Sequence, residues 1–236
     1  MPEGLYFKQL LSGVDFAFED MLAQQMVNFS YLIGDFATNT AVAVDPAYDI
    51  SSIVEILESD GMELAGILAT HYHPDHVGGE MMGHNIEGIQ EVCSRFDVPV
   101  HLQKAESPWV TRTTGISRTS LIEHDPGDVV KVGDVEIELI HTPGHTPGSQ
   151  CFFVRDRLIA GDTLFLNGCG RTDLPGGDPD EMYISIHQRL SKIPNTSILF
   201  PGHLYSQDPQ ATMGEVRMGN YVFRLNSPQA WSQMFE

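Results

Sequence analysis

Two hydrophobic rhythms alternate along the chain: period two, as in half-buried strands, and a spacing of three to four residues, as in amphipathic helices. Met26 to Ile33 and Thr40 to Val44 are β-rich runs around Gly34-Asp35 and predict a hairpin, closed by Asp45-Pro46. Ser52-Ile53-Val54-Glu55 has the form of a capping box, and Ile53, Val54, Ile56 and Leu57 give an apolar face, so a short helix is expected before Gly61. Leu64 to Ala69 is an apolar run that reads as a buried strand. Ile86, Ile89, Cys93 and Phe96 recur at helical spacing, which makes Cys93 a small core residue. Val98 to Leu102 returns as a strand. Lys104 to Ser120 is less regular, carries Lys104, Trp109, Arg112 and Arg118, and reads either as a substrate-side flap or as a surface segment.

Downstream, 129–132 and 135–139 flank Gly133-Asp134 as a second hairpin, whose last strand alternates cleanly between a wet and a buried face. Cys151 to Val154 and Leu158 to Ala160 are two more β runs. Asp178-Pro179 places an N-cap before a proline at the first helical position, with Met182, Ile186 and Leu190 facing inward. Ile198 to Phe200 reads as a short strand, and one helix is expected near Met213 to Phe223. No repeat or interdomain linker interrupts the pattern. A single domain over 1–236, with a short helical tail from about 206, is the expectation.

Composition narrows the function classes. A hydrophobic fraction of 42% over 236 residues is enough for a sizeable core. With 32 acidic against 13 basic residues the net charge is −19, which repels polyphosphate backbones and favours a small-molecule substrate over nucleic acid. No run of 18 apolar residues exists, so no membrane span is expected. Met1-Pro2-Glu3-Gly4 lacks the basic start and apolar stretch of a secretory signal. Three widely spaced cysteines do not make a disulfide framework, and a reducing cytoplasm is the expected setting.

The chemistry concentrates at Thr70-His71-Tyr72-His73-Pro74-Asp75-His76-Val77-Gly78-Gly79, directly after the buried strand. Imidazole nitrogens and a carboxylate at this spacing suit zinc, iron or manganese. Pro74 stiffens the loop, and Gly78-Gly79 lets the chain turn. Three further donors each follow a β run: His145 between two Pro-Gly turns, Asp162 after Gly161, and His203 after Pro201-Gly202. Five histidines and two aspartates exceed what one closed site needs and fit two metals with a shared bridge. No Gly-x-Ser-x-Gly elbow accompanies them.

The pattern His-x-His-x-Asp-His, with the three downstream donors, resembles the metallo-β-lactamase superfamily over roughly 26–205. The resemblance implies an α/β fold, the αββα sandwich: two mixed β-sheets face to face, flanked by helices. It also implies that His71, His73 and His145 hold one divalent ion, that Asp75, His76 and His203 hold a second, and that Asp162 bridges. Zinc is expected first, with iron as the alternative. Two metals about 3.5–4 Å apart hold a water between them and lower its pKa. Asp75 is then both ligand and candidate catalytic proton shuttle. His141 is not a ligand position in the family and reads as structural or supporting. His84, His101, His124 and His187 read as solvated or core histidines.

Gly161-Asp162-Thr163-Leu164-Phe165 and Gly168-Cys169-Gly170-Arg171 look like the glyoxalase II branch, whose members hydrolyse thioesters of the hydroxyacylglutathione type. Side activity on lactones or β-lactams would fit the same machinery. The longer run to Asp173 is also similar to the persulfide dioxygenase branch, which would use one iron on His73, His145 and Asp162. A metal-stabilised binding module without activity is the third reading. Arg171 is the candidate for a substrate carboxylate, or else pairs with Asp173. Tyr205 is a candidate donor to substrate, and Cys169 could line the site beside the metals.

Overall fold

Two six-stranded sheets pack face to face because most of their strands carry apolar side chains on both faces. The computed structural model describes residues 4–235; residues 1–3 and 236, and with them most of the Met1-Pro2-Glu3-Gly4 reading, lie outside the described residues. The first half of the chain runs through β1 (Leu5–Leu11), α1 (Met21–Met26), β2 (Phe29–Asp35), β3 (Thr40–Val44), α2 (Ile50–Ser59) and β4 (Glu63–Leu68). It continues through the one-turn α3 (Pro74–Val77), the small hairpin β5 (Gly79–Met81) and β6 (His84–Ile86), then α4 (Ile89–Arg95), β7 (Val100–Gln103), α5 (Ser107–Thr114) and β8 (Leu121–His124). The second half adds β9 (Val129–Val132), β10 (Val135–His141), β11 (Gln150–Val154), β12 (Arg157–Gly161), α6 (Pro179–Ile184), β13 (Ile198–Pro201), β14 (Ala211–Thr212), α7 (Met213–Gly219) and α8 (Pro228–Phe235). The sheet orders are β1-β2-β3-β4-β7-β8 and β14-β13-β12-β11-β10-β9. Both are mixed: β3, β4, β7 and β8 run parallel, as do β12 and β13.

The period-two pattern decides which layer each side chain enters. Phe29, Tyr31 and Ile33 of β2 and Val42 and Val44 of β3 face Val130, Ile137, Phe152 and Ile159 of the second sheet. Their neighbours Leu32, Ala41 and Ala43 point the other way, onto Ile53 and Leu57 of α2. On the far side, Cys151, Leu158 and Ala160 pack under Met182, Val216 and Trp231 of α6, α7 and α8. Helices therefore cover both outer faces, which is the αββα sandwich.

Several boundaries differ from the sequence reading, each for a local reason. Met26 is helical: Asp20 caps α1 by accepting from the amides of Leu22 and Ala23 at 2.8 and 3.0 Å, and Val27 ends it at φ 49°. Gly34 and Asp35 stay extended because β1 pairs with them through Tyr6 and Leu5, so the hairpin turn falls at 36–39. Asp49, not Ser52, caps α2, accepting from the Ser52 amide at 3.0 Å. Ile86 belongs to β6; α4 begins only at Ile89, where Glu91 accepts from the Gly88 amide at 2.7 Å. The region from Lys104 to Ser120 contains α5, whose Val110 is fully buried. Two helices, α7 and α8, occupy the tail where one was expected, and the second buries Trp231.

Candidate metal centre

The donors converge because four strands end at one rim of the sandwich. Asp45 follows β3, Thr70 and His71 follow β4, Asp162 follows β12 and His203 follows β13. His145 hangs in the loop between β10 and β11. Backbone bonds staple the two sheets here: the Phe29 amide donates to the Gly202 carbonyl at 2.8 Å, Leu204 to Val27 at 3.0 Å, and Gln150 to Thr70 at 3.0 Å. Gly78 and Gly79, at φ 84° and 118°, turn the chain away after α3 and release it into the β5–β6 hairpin.

His71 Nε2 lies 3.0 Å from His73 Nδ1, which lies 2.9 Å from His145 Nε2. Across the cluster His76 Nε2 and His203 Nε2 are 3.2 Å apart, and Asp75 Oδ2 is 3.6 and 3.5 Å from them. Asp162 spans the two groups: Oδ1 is 3.5 Å from His76, and Oδ2 is 3.6 Å from His145 and 3.3 Å from His203. For metal–nitrogen bonds of roughly 2.0–2.1 Å, the edges of a tetrahedral ligand set are about 3.3 Å long, so these spacings fit cations. Asp162 Oδ1 is buried with no hydrogen-bond partner, an arrangement that a bound cation would satisfy. Among the described residues three groups could hold an ion: His71, His73 and His145; Asp75, His76 and His203; and Asp45, His71 and His76, in which Asp45 already faces His76 Nδ1 and Thr70.

Hydrogen bonds assign the tautomers. His145 Nδ1 donates to the Arg171 carbonyl at 2.7 Å and His203 Nδ1 to the Met26 carbonyl at 2.7 Å. The Thr70 hydroxyl donates to Asp45 at 2.6 Å, so it accepts from His71 Nδ1 at 2.9 Å. His76 Nδ1 donates to Asp45 Oδ2 at 2.9 Å. In all four rings Nε2 is left to face the cluster, whereas His73 presents Nδ1.

Charge divides the centre. Burial, then His145, holds His73 down at about 4, and burial with the surrounding imidazoles lowers His71 as well. Burial also disfavours charge on His76, but Asp75, Asp162 and Asp45 outweigh it and push its imidazole up to about 10. Asp162, although buried, is held well below the usual carboxylate range by His203 and His76. Burial thus favours the neutral, ligating form around His71 and His73, whereas the carboxylates around His76 and His203 favour positive charge beside them.

Supporting residues escaped the sequence reading. In the sequence Asp45 reads only as a strand end. Asn28 donates to Asp75 Oδ2 at 3.0 Å and is itself oriented by the Tyr48 hydroxyl at 2.9 Å. Glu106, fully buried, accepts from the Tyr72 amide at 2.7 Å and the Gly148 amide at 2.6 Å, tying together the two loops that carry His71, His73 and His145. A side chain at Gly148 would meet Glu106 at 2.4 to 2.6 Å, so the Pro-Gly turn there makes room for this carboxylate. Trp109 stacks on Tyr72 at 5.0 Å, and α5 thus braces the histidine loop from behind instead of serving as a flap. Their sequence neighbourhoods carry no signal for these roles, since each acts on a partner distant in the chain.

The cluster forms the floor of a cleft of about 530 Å³ lined by Arg171, Tyr205 and Cys169 among others. The Arg171 guanidinium forks onto Asp173 at 2.9 and 2.8 Å. Tyr205 stacks on His203 at 4.6 Å and stays half-exposed. Burial pushes the Cys169 thiol up to about 12, which removes it as a thiolate at neutral pH. His141 hydrogen-bonds the Pro147 carbonyl at 3.0 Å, His101 and His124 stack on each other, His187 stacks on Tyr183, and His84 is exposed.

Several known proteins are similar to this chain in sequence or fold. A probable polyketide biosynthesis zinc-dependent hydrolase of Bacillus velezensis is 30% identical over 206 residues, covering 87% of this chain and 86% of that protein. The mitochondrial persulfide dioxygenase of Bos taurus is 29% identical over 213 residues, 89% of this chain and 76% of that one. A probable hydroxyacylglutathione hydrolase of Schizosaccharomyces pombe is 33% identical over 190 residues, 76% of this chain and 65% of that one. Among solved structures, a metallo-beta-lactamase from Staphylococcus aureus superposes with a TM-score of 0.79 at 24% identity, covering 99% of this chain and 67% of the other. A protein solved in a di-iron-bound form superposes with a TM-score of 0.64 at 26% identity, covering 82% and 93%. The pattern of the Metallo-beta-lactamase superfamily matches residues 24–203, and the chain belongs to that superfamily.

Proposed function

We propose that the protein is a binuclear metal-dependent hydrolase that cleaves a thioester, the hydroxyacylglutathione type being the form the sequence points to. The observation that carries this reading is Asp162, set between two donor groups with one oxygen buried and unpartnered. His71, His73 and His145 would hold one divalent ion, Asp75, His76 and His203 the other, and Asp162 both. Such ions, zinc first and iron as the alternative, lower the pKa of a water toward neutrality and polarise the substrate carbonyl. Asp75 takes the proton released on attack and returns it to the leaving sulfur. Asn28, fixed by Tyr48, occupies Asp75 Oδ2 and leaves the other carboxylate oxygen for that proton. Arg171 and Tyr205 contribute to substrate binding from the walls, Arg171 by exchanging Asp173 for a substrate group.

The substrate is a small molecule; the strongly acidic chain disfavours nucleic acid, and no helix among the described residues is long and apolar enough to cross a membrane. Three free thiols suit a reducing cytoplasm. Release of free thiol from a thioester by metal-loaded protein, lost together with bound metal in His73→Ala, is the expected result. Retained hydrolysis in that variant contradicts the mechanism.

The identity to the persulfide dioxygenase of Bos taurus supports a second reading, iron on His73, His145 and Asp162. Oxygen uptake with glutathione persulfide supports it; two zinc ions and no uptake exclude it. Inertness toward every activated ester would leave the metal-stabilised binding module.

A further inference from the structure

The walls of the cleft have a chemistry different from its floor. Met26, Met81, Met82, Phe165, Leu174 and Tyr221 all border it. Met26 is the last residue of α1 and is held at the site by its own carbonyl, which accepts from His203 Nδ1 at 2.7 Å. Phe165 packs its ring against Tyr205 at 5.1 Å and against His203 at 6.1 Å, next to the proposed ligands. Met81 and Met82 also border the cleft, at the tip of the β5–β6 hairpin. Met82 is 81% exposed, among the most exposed large apolar side chains described. Burial of such a side chain against an apolar ligand is favourable, and methionine adapts its shape to what it meets.

Charge points the same way. The lining contains one permanent cation, Arg171, and both of its bonds go to Asp173. No lysine borders the cleft. A thiol carrier with two free carboxylates, as in glutathione, would have to draw Arg171 off Asp173 and would still leave one carboxylate without a cation.

Resting on the hydrolase reading above but departing from its hydroxyacylglutathione form, we infer that the cleft selects thioesters with an extended apolar acyl chain, on a carrier without paired carboxylates. The acyl chain is joined to the attacked carbonyl and must lie within the walls, so the methionines and Phe165 take it. The carrier needs only to reach the rim. The reaction remains a hydrolysis: water adds its oxygen to the carbonyl carbon, the carbon–sulfur bond breaks, and the thiol leaves with the second proton.

The test uses the full chain loaded with zinc and S-acyl N-acetylcysteamine thioesters of two, four, six and eight carbons, with S-lactoylglutathione as comparator. Free thiol is the readout. We expect kcat/KM to rise by up to about fourfold per added methylene until the cleft is filled, the ratio that the transfer of one methylene from water implies. S-Lactoylglutathione should be the poorer substrate. Met82→Ser, on an exposed tip where folding is not at risk, should lower the eight-carbon to two-carbon rate ratio by about threefold or more. Preference for S-lactoylglutathione, a flat chain-length series, or an unmoved ratio in Met82→Ser overturns this inference while leaving the hydrolase reading standing. Failure to cleave any thioester overturns both.

Discussion

Asp45 Oδ2 lies 2.9 Å from His76 Nδ1, and the same carboxylate accepts from the amide and hydroxyl of Thr70 at 2.7 and 2.6 Å. The Thr70 hydroxyl in turn takes the Nδ1 proton of His71. One buried aspartate therefore orients an imidazole in each of the two donor groups, although it is not among the seven proposed ligands. Partners of this kind are worth about 10–100-fold in metal affinity. Asp45→Asn should retain the fold and weaken metal retention by that factor, read by competition with a chromogenic chelator. Unchanged retention would show that the ligands need no such anchor.

Glu106 makes a prediction about the loops and not the rings. Both of its oxygens accept from backbone amides, so an amide side chain must turn its NH₂ toward one of them. Glu106→Gln leaves a buried donor without an acceptor, at a cost of about 1–3 kcal/mol. The melting temperature of the metal-free protein should fall accordingly. Equal melting temperatures would mean that other contacts hold the Tyr72 and Gly148 loops together.

Metal removal should destabilise the protein. Ligands that bind only the folded state stabilise it by RT ln(1 + [L]/Kd), about 4 kcal/mol at 1,000-fold excess over Kd. Without metal, Nε2 of His76 and Nε2 of His203 face each other at 3.2 Å beside Asp75 and Asp162, with no cation to share. Calorimetry of chelator-treated protein should show a lower melting temperature that recovers with added zinc. No shift would argue that the cluster binds no ion strongly.

His101 sets an acid limit away from the centre. Its ring stacks on His124, with Nδ1 2.9 Å from the neighbouring Nε2. Burial first, and then His124, hold His101 down at about 4. The unfolded chain, with an imidazole near 6.5, binds the proton more readily. The stability from neutral His101 is thus complete above about pH 6.5 and is lost as pH falls through that value toward 4. In metal-free protein, His101→Gln should lose less stability than the parent between pH 7 and pH 4.5. Parallel curves would contradict the assignment.

The legibility of the site followed from where its information lies. His71, His73, Asp75 and His76 are adjacent, and His145, Asp162 and His203 each end a recognisable β run, so all seven could be named without coordinates. Asp45, Asn28 and Glu106 are single polar residues whose roles depend on a partner across the fold. Asp45 is 31 residues from His76, and Glu106 is 42 from Gly148. Nothing in their own neighbourhood distinguishes them from turn residues. Core strands such as β10 were clear because their alternation is local; the start of β2 was not, since Met26 and Val27 are as apolar as a strand but follow the Asp20 cap into α1. The β1 strand is hard to read locally because Lys8 and Gln9 interrupt the apolar run from Leu5 to Leu11. The N-terminus of α2 was misread because Asp49 and Ser52 are both good caps, and the structure uses the first.

The most direct test is the metal content of protein purified without added metal, measured by elemental mass spectrometry against chain concentration. The account predicts two ions per chain, zinc foremost, falling to one or none in Asp162→Ala. A parent protein that carries a single ion, or one whose content is unmoved by the loss of Asp162, would contradict it.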